Sequence, residues 1–315
     1  MRYEQKMPRA KRAYLQTKSN VIGILAKAKL ILKAGPKAYL AKKLDNRTDF
    51  PHQLAIAAIF KNETPYLKEW IEFHRLVGVT KFYLFDNEST DNPNTILAPY
   101  VEAGIVDLHR IKGKGRQLDA YYQAIDLAKD ETKWLAVIDL DEFLLPIEKG
   151  KTVLDILEEQ RRSALLVAWM VYGSDGHKTK PTGLVTENYR HHATDDFIAD
   201  YKTIVNPRKV IQVKNPHYIR VIGKMTNERG KRLFQYPYSY WPEAVAAPKQ
   251  RIRINHYYSK SWEEFRQKSL RGYADSSGKA EREARSLANF KDHDQNQVLD
   301  HYIDPYVAAL KKKLE

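Results

Sequence analysis

The fold of this 315-residue chain is decided by Trp134-Leu-Ala-Val-Ile-Asp-Leu-Asp-Glu-Phe-Leu-Leu-Pro146. Its apolar start predicts a buried strand that ends in a cluster of acids. On a strand, residues two apart point to the same side, so Asp139 and Asp141 are expected to project together while Leu140 stays in the core. Burying two like charges is costly unless a cation lies between them, and oxygen ligands favour Mg²⁺ or Mn²⁺. On this stretch alone, a pair of solvated acids remains the alternative.

The residues before this stretch alternate between strand and helix patterns. Apolar runs predict strands at 54–60, 81–85, 105–111 and 134–138, and amphipathic segments predict helices at 64–77, 95–103 and 117–129. We expect Thr64 to cap the first of these helices. Such alternation implies parallel strands joined by right-handed crossovers. The predicted fold class is therefore α/β, with a mostly parallel sheet flanked by helices.

A polar cluster follows each of these four strands. The clusters are residues 61–63, 86–91, 112–116 and 139–142. Because ligands of parallel sheets bind beyond the carboxyl ends of the strands, all four clusters are expected at one ligand-binding edge. The third cluster, Lys112-Gly-Lys-Gly-Arg116, lacks the Gly-Lys-Ser/Thr ending of a P-loop, so a phosphate-binding loop and a flexible loop facing the ligand both stay open.

The second half of the chain is less regular. The pattern predicts a helix at 152–162, a strand at 164–172, and short strands near 202–205, 210–213 and 218–221. A dense segment, Arg251-Ile-Arg-Ile-Asn-His256, precedes Lys260, Lys268 and Arg271. Helical patterns fill the C-terminus.

Composition limits the classes of function. The chain is 43% hydrophobic and has no cysteine, which excludes disulfides and thiolate chemistry. It shows neither an apolar run long enough to span a bilayer nor an apolar signal segment. Of the formal net charge of +14, +10 belongs to residues 1–45, so the remaining body is only mildly basic. We therefore expect no nucleic acid partner.

The basic leader predicts a helix over residues 21–44, broken at Gly35-Pro36. Its apolar positions are interrupted by lysines, a pattern typical of helices that lie on an anionic membrane surface. A basic helix docked on the body, or left frayed, is the alternative. We expect residues 1–44 to be the segment that would contact a membrane.

Several motifs together resemble the GT-A glycosyltransferases, and more narrowly the family 2-like and family 92-like group of bacterial transferases. The resemblance covers residues 53–272 and is carried by Phe60-Lys-Asn-Glu63, Phe85-Asp-Asn-Glu-Ser-Thr-Asp91, Asp139-Leu-Asp-Glu-Phe143 and Asn255-His-Tyr257. It implies a GT-A domain, which we place at 49–272, and the basic helical leader at 1–48 and the helical extension at 273–315 lie outside the resemblance. Residues 49–146 would form the nucleotide-binding half of the domain and residues 147–272 the acceptor half.

The resemblance also implies an activity. A hexose-type sugar would move from a nucleotide donor, a UDP-sugar, to a saccharide or glycolipid acceptor during surface polysaccharide synthesis. The enzyme would be cytoplasmic, at the inner face of the cell membrane. A nucleotidyltransferase with a similar metal and nucleotide site, and a non-enzymatic basic binding module, are the alternatives that stay open.

Site residues are carried over position by position from the resemblance. Asp139, Asp141 and His256 would hold Mn²⁺ or Mg²⁺. The chemistry of an inverting transferase also needs a carboxylate base for the acceptor hydroxyl, and the candidates after this strand are Asp175, Glu187, Asp195 and Asp196, of which we favour Glu187 and Asp196. The donor would be bound by Lys61, Glu63, Asp86, Asn87, Arg116, Lys260, Lys268 and Arg271. Taken singly, Glu63 also fits a helix cap and His256 a structural histidine.

Overall fold

The computed structural model describes residues 8–195, 197, 200–231, 233, 251–271 and 286–314. Its first element is a long helix, α1 (Arg9–Leu44), which begins earlier than the sequence pattern predicted. Gly35 interrupts this helix with a φ of 84°, a left-handed conformation that glycine adopts without a Cβ penalty, and Pro36 follows. The predicted break at Gly35-Pro36 is therefore confirmed as a kink within α1.

The next seven elements follow the predicted alternation of strands and helices. They are β1 (His52–Phe60), α2 (Thr64–Leu76), β2 (Lys81–Asp86), α3 (Asn94–Glu102), β3 (Val106–Arg110), α4 (Gln117–Ala128) and β4 (Thr132–Val137). The four strands lie in the order β3-β2-β1-β4, and every neighbouring pair is parallel. Their carboxyl ends therefore share one edge of the sheet, as the sequence predicted.

The second half adds shorter and more irregular elements. The strands are β5 (Glu142–Pro146), β6 (Ala164–Val171), β7 (His191–His192), β8 (Tyr201–Val205), β9 (Val210–Val213), β10 (Ile219–Val221), β11 (Met225–Thr226), β12 (Ile252–His256) and β13 (Val298–Leu299). The helices are α5 (Val153–Glu158), α6 (Val185–Asn188), α7 (Trp262–Arg271), α8 (Leu287–His293) and α9 (Asp304–Leu314), with a 3-10 turn at Pro207–Lys209. Helix α5 is shorter than the predicted 152–162.

The main sheet has nine strands, eight of them in the order β3-β2-β1-β4-β8-β6-β12-β5, and β11 pairs with β6. Strand β8 runs antiparallel to both β4 and β6, so it interrupts the parallel series. Strand β12 runs parallel to β6 but antiparallel to β5. Most pairs in the sheet are parallel, and the predicted fold class is confirmed.

Helices cover both faces of the sheet. Alternate residues of β1 enter two separate cores: Ile56 and Ala58 pack with residues of α2, whereas Ala55 and Ala57 pack with residues of α4. A strand buried on both faces needs a continuous apolar run, which is why β1 reads as one. In the described part of the chain, no helix combines the length and apolar character that crossing a bilayer requires.

Candidate functional site

The acidic cluster after β4 lies in a turn between two strands. Strand β4 ends at Val137, and β5 begins at Glu142. The predicted reason for Asp139 and Asp141 to share a side, continued strand alternation, is therefore wrong. Leu140 is nevertheless buried, as predicted. The two aspartates instead face two different lysines, so their positions depend on cations from distant parts of the chain.

Asp139 is held by three donors. Its Oδ1 accepts hydrogen bonds from Gln117 Nε2 at 3.0 Å and Tyr121 Oη at 3.1 Å, both on α4. Its Oδ2 accepts one from Lys202 Nζ of β8 at 2.7 Å. Burial alone would raise the pKa of Asp139, but the Lys202 ammonium holds it below the ordinary value. About a third of its side chain is exposed (32%), so a ligand can still reach this carboxylate.

Asp141 is the more enclosed carboxylate. Its Oδ2 forms an ion pair with Lys268 Nζ of α7 and lies 3.7 Å from His256 Nε2. Its backbone carbonyl accepts a hydrogen bond from the Tyr257 amide at 2.8 Å, which fixes the turn against the end of β12. Burial opposes ionisation, yet Lys268, His256 and Lys260 hold the pKa of Asp141 well below its ordinary value. Asp141 is thus a buried anion surrounded by donors.

Glu142 completes a compact group of ligand atoms. It is fully buried, and Lys202 Nζ lies 3.5 Å from its Oε1. Among the described residues, Asp141, Glu142 and His256 are grouped so that one ligand atom from each lies within 4.8 Å of the others. Burial, together with the charges of Asp139 and Asp141, raises the pKa of Glu142 well above its ordinary value. A cation here would relieve this repulsion.

Strand pairing brings His256 to this group. The antiparallel register of β12 and β5 sets His256 opposite Glu142. The imidazole packs on Trp169 with ring centroids 4.0 Å apart, and burial lowers its pKa. Within the described structure, its Nδ1 is buried and makes no hydrogen bond. A neutral imidazole with a vacant nitrogen is suited to a metal, so the residues present fit one.

Two lysines lie near Asp141. A cavity of about 260 Å³ is lined by Lys260 and Lys268, by one carboxylate, Glu264, and by Asn62, Tyr66 and Tyr258, among others. Lys260 is buried, has a φ of 47°, and places its Nζ 3.6 Å from the centroid of the Tyr66 ring. Lys268 Nζ lies 4.3 Å from the Tyr258 ring centroid. This cavity joins two cations to the loop after β1, which suits an anionic ligand.

The loops after β1 and β2 are bound to each other. Asn62 Oδ1 accepts a hydrogen bond from the Thr90 amide at 2.7 Å, and Asp91 Oδ2 accepts one from the Thr64 amide at 2.9 Å. The predicted cap by Thr64 is wrong, because α2 begins without a side-chain cap, and Asp91 binds its amide instead. Glu63 is buried just before α2. The Asp86–Asp91 stretch is therefore more than an isolated turn.

Asp86 and Asn87 organise the same edge. Asp86 Oδ1 accepts a hydrogen bond from the Ser89 amide at 2.8 Å. Asn87 Nδ2 donates to the carbonyls of Ile111 and Gly113, each at 2.9 Å, and so anchors the loop after β3. These contacts give Asn87 a scaffolding role in the structure. They also hold the basic loop at 112–116 beside the ends of β1 and β2.

The other predicted residues are placed less closely together. Lys61 lies directly after β1, and Arg116 pairs with Asp119 at 3.0 Å at the start of α4. Arg271 is the last residue of α7. Glu187 forms an ion pair with Lys311 of α9, so its contact is with the C-terminal helix rather than with Asp141. Asp196 lies outside the described residues.

Lys202 is the site residue that sequence reasoning missed. It is fully buried in β8 between Asp139 and Glu142, and these carboxylates raise its pKa well above the ordinary value against the effect of burial. The only signal in the sequence is a lysine inside the short apolar run Tyr201-Lys-Thr-Ile-Val205. Such a lysine marks a buried ion pair only if the strand is internal, and nothing local predicts that β8 enters the sheet beside β4.

The fold and the site together define an α/β protein with a buried acidic cluster, paired with lysines, at the carboxyl edge of its parallel strands. The profile of glycosyltransferase family 92 matches residues 52–282, well over half of the chain. The chain belongs to glycosyltransferase family 92, and the sequence-based assignment to this group is confirmed.

Curated relatives support this assignment. A family 92 protein of Ricinus communis is 26% identical over 234 residues, which cover 72% of this chain and 39% of the relative. One of Oryza sativa subsp. japonica is 24% identical over 222 residues, covering 69% of this chain and 35% of the relative. The chain thus spans less than half the length of these relatives.

Solved structures show partial likenesses. S. aureus TarS (residues 1–349, in complex with UDP) is 14% identical, with a TM-score of 0.33 over 49% of this chain and 47% of that chain. The mannosyltransferase PcManGT of Pyrobaculum calidifontis, in complex with GDP-Man and Mn²⁺, is 15% identical, with a TM-score of 0.27 over 48% of this chain and 46% of that chain.

Proposed function

We propose that this chain is a metal-dependent glycosyltransferase that moves a hexose-type sugar from a UDP-sugar to a saccharide or glycolipid acceptor in surface polysaccharide synthesis. The observation that carries the proposal is the buried group Asp141, Glu142 and His256 beside two lysines at the carboxyl edge of the parallel strands. A divalent metal bound to a nucleoside diphosphate matches this site, because the metal is complementary to the acidic group and the diphosphate to the lysines. Membership of family 92 supports the type of reaction.

Asp141 and His256 would hold the metal, and Glu142 supplies a third ligand that the sequence left unassigned. Asp139, paired with Lys202 but partly exposed, is proposed to contact the same ion or the nucleotide. Carboxylate ligands suit both Mg²⁺ and Mn²⁺, and an imidazole ligand favours Mn²⁺ of the two. When bound, the ion would supply charge stabilisation for the departing diphosphate.

The side chains of this protein would perform the remaining steps. Lys260 and Lys268 would hold the negative charge that grows on the leaving diphosphate, in a cavity where burial strengthens each ionic contact. Lys61, Arg116 and Arg271 are further candidates for the phosphates. Glu63 and Asp86 would bind the base and ribose at the ends of β1 and β2. Glu187 and Asp196 stay hypotheses for the base that takes the proton of the acceptor hydroxyl.

The substitution Asp141→Asn tests the metal assignment. It removes the buried anion while keeping the volume of the side chain, so we expect transfer to fall by about 100-fold or more. Loss of the ion pair with Lys268 should also lower the melting temperature, so activity is compared at a temperature where circular dichroism shows the variant folded. The assay follows release of UDP from UDP-sugars in the presence of Mn²⁺. Asp126→Asn, on an exposed acid of α4, is the matched control and should leave turnover unchanged.

The reaction product separates the classes of enzyme. A glycosyltransferase releases the nucleoside diphosphate, whereas a nucleotidyltransferase releases pyrophosphate. Undiminished turnover in the Asp141→Asn variant would remove the metal assignment, and pyrophosphate as the product would remove the proposed reaction.

A further inference from the structure

The outward face of α1 exposes a stripe of large apolar side chains. Tyr14, Val21, Leu25 and Leu32 are 63%, 50%, 62% and 87% exposed. Their spacings of seven, four and seven residues place them on one side of a helix that turns roughly 100° per residue. A stripe this exposed is unusual in a soluble helix, since apolar faces are ordinarily buried against the body.

The stripe is exposed because the opposite side of α1 is already docked. Ile22, Ala26 and Leu30 are half-buried, and Arg220 Nη1 donates a hydrogen bond to the Ile22 carbonyl at 2.9 Å. Lys209 Nζ donates to the Lys43 carbonyl at 2.8 Å near the end of the helix. The body therefore fixes which face of α1 points to solvent, and rotation of the helix cannot hide the stripe.

Basic side chains surround this helix. Lys18 and Lys29 border the stripe on the helical wheel, and α1 carries no acidic residue in its first turn.

We propose that the outward face of α1, with the lysines that border it, is a docking surface for an anionic phospholipid bilayer. The apolar stripe would enter the interface, and Lys18 and Lys29 would pair with the headgroup phosphates. This surface goes beyond the proposed transferase reaction and is separate from its site. It would hold the enzyme at the membrane without a spanning helix.

The charges favour a bilayer over the other occupants of such a surface. A second copy would set two leaders of net charge +10 against each other, and the like charges would oppose that contact. A polyanion such as nucleic acid would match the lysines but would leave the apolar stripe in water. An anionic bilayer is the partner that satisfies both features at once.

Vesicle flotation tests the proposal with the full chain. We expect flotation with vesicles of phosphatidylglycerol and phosphatidylcholine, and little with phosphatidylcholine alone. The triple substitution Val21→Ser, Leu25→Ser and Leu32→Ser should lower the partition coefficient by about tenfold or more. A charge-reversal variant, Lys18→Glu with Lys29→Glu, should lower it by a similar factor. The control, Val101→Ser with Leu127→Ser, changes exposed apolar residues of α3 and α4 and should float like the unmodified protein.

The melting temperature of every variant reports loss of folding, and its rate of donor hydrolysis reports loss of the transferase site. Both are thereby distinguished from loss of membrane docking. Flotation of the triple variant at the level of the unmodified chain would overturn the proposal. Equal flotation with phosphatidylcholine alone would remove the role of Lys18 and Lys29. If light scattering shows a dimer for the unmodified chain and a monomer for the triple variant, the stripe would be assigned to self-association instead.

Discussion

Lys202 is the residue on which the acidic cluster depends most. Its side chain is fully buried, and its Nζ lies 2.7 Å from an oxygen of Asp139 and 3.5 Å from an oxygen of Glu142. Placing three carboxylates within one turn and its neighbouring strand is tolerable only with compensating cations. Lys202 supplies one from β8 and Lys268 another from α7. The site is therefore assembled from residues more than sixty positions apart in the chain.

Replacing Lys202 should lower the free energy of unfolding of the protein. Lys202→Met leaves Asp139 without its 2.7 Å partner. Breaking a fully buried pair costs roughly 3–5 kcal/mol, and we expect a smaller loss here because the Asp139 side chain is 32% exposed. The free energy of unfolding in urea measures this loss. The exposed pair Lys129–Asp126 provides the control, since Lys129→Met should change little.

A double variant shows that charge is the cause. Adding Asp139→Asn to Lys202→Met removes the uncompensated anion and should restore part of the stability. Equal stability of the Lys202→Met variant and the unmodified chain would show that the ion pair contributes nothing to folding.

At the scale of elements, α2 is attached to the site by its buried side chains. Trp70 Nε1 donates a hydrogen bond to the Glu142 carbonyl at 2.8 Å. His74 Nε2 accepts one from the Leu144 amide at 3.1 Å, so its Nδ1 carries the proton that is donated to the Trp70 carbonyl at 2.8 Å. Helix α2 thereby fixes β5, which begins with Glu142 itself.

This attachment makes stability depend on pH. Burial lowers the pKa of His74 to about 3, against an ordinary value near 6.5. Between these values the unfolded chain binds a proton that the folded chain does not, so the free energy of unfolding falls as the pH drops through this window. The fall is up to roughly 1.4 kcal/mol per pH unit for this one group.

Urea unfolding at several pH values from 7.5 to about 5 measures the slope. The variant His74→Gln should be less stable at pH 7.5 but should lose less stability on acidification. His301→Gln, at a side chain that is 75% exposed, is the control and should keep the slope of the unmodified chain. An unchanged slope in His74→Gln would assign the acid sensitivity to other groups.

Local pattern predicted the first half of the elements well, for a physical reason. The strands β1 to β4 are buried, parallel neighbours joined by amphipathic helices. The strands therefore appear in the sequence as short apolar runs, and the helices as apolar residues repeated every three or four positions. The polar clusters after them follow from the direction of the strands. Even there, Thr64 does not cap α2, because a tertiary contact from Asp91 replaced the local one.

The strand pairings in the second half of the chain could not be predicted from local sequence pattern. The insertion of β8 between β4 and β6, and the register that sets His256 opposite Glu142, join segments far apart in sequence. Strand propensity specifies neither partner nor direction. Asp139 and Asp141 were therefore found from sequence, whereas Lys202 and the ligand role proposed for Glu142 required the fold.

At the scale of the whole molecule, the site holds two pairs of opposite charges. Without ligand, Lys268 neutralises Asp141, and Lys202 neutralises Asp139. A nucleoside diphosphate bound with a divalent ion would bring both signs of charge, giving the lysines a phosphate partner and the carboxylates a metal. The nucleotide and the ion should then bind cooperatively, because each removes the repulsion that the other would meet.

This coupling predicts how ligands stabilise the folded chain. UDP with Mn²⁺ should raise the melting temperature, with a gain of roughly 2.7 kcal/mol when the ligand is present at a hundred times its dissociation constant. UDP alone or Mn²⁺ alone should give much smaller shifts. In Asp141→Asn the joint shift should vanish, while in the control Asp126→Asn it should persist. Equal shifts from UDP with and without the ion would show that the nucleotide binds through the lysines alone, and that the acidic group Asp141, Glu142 and His256 serves the fold rather than the ligand.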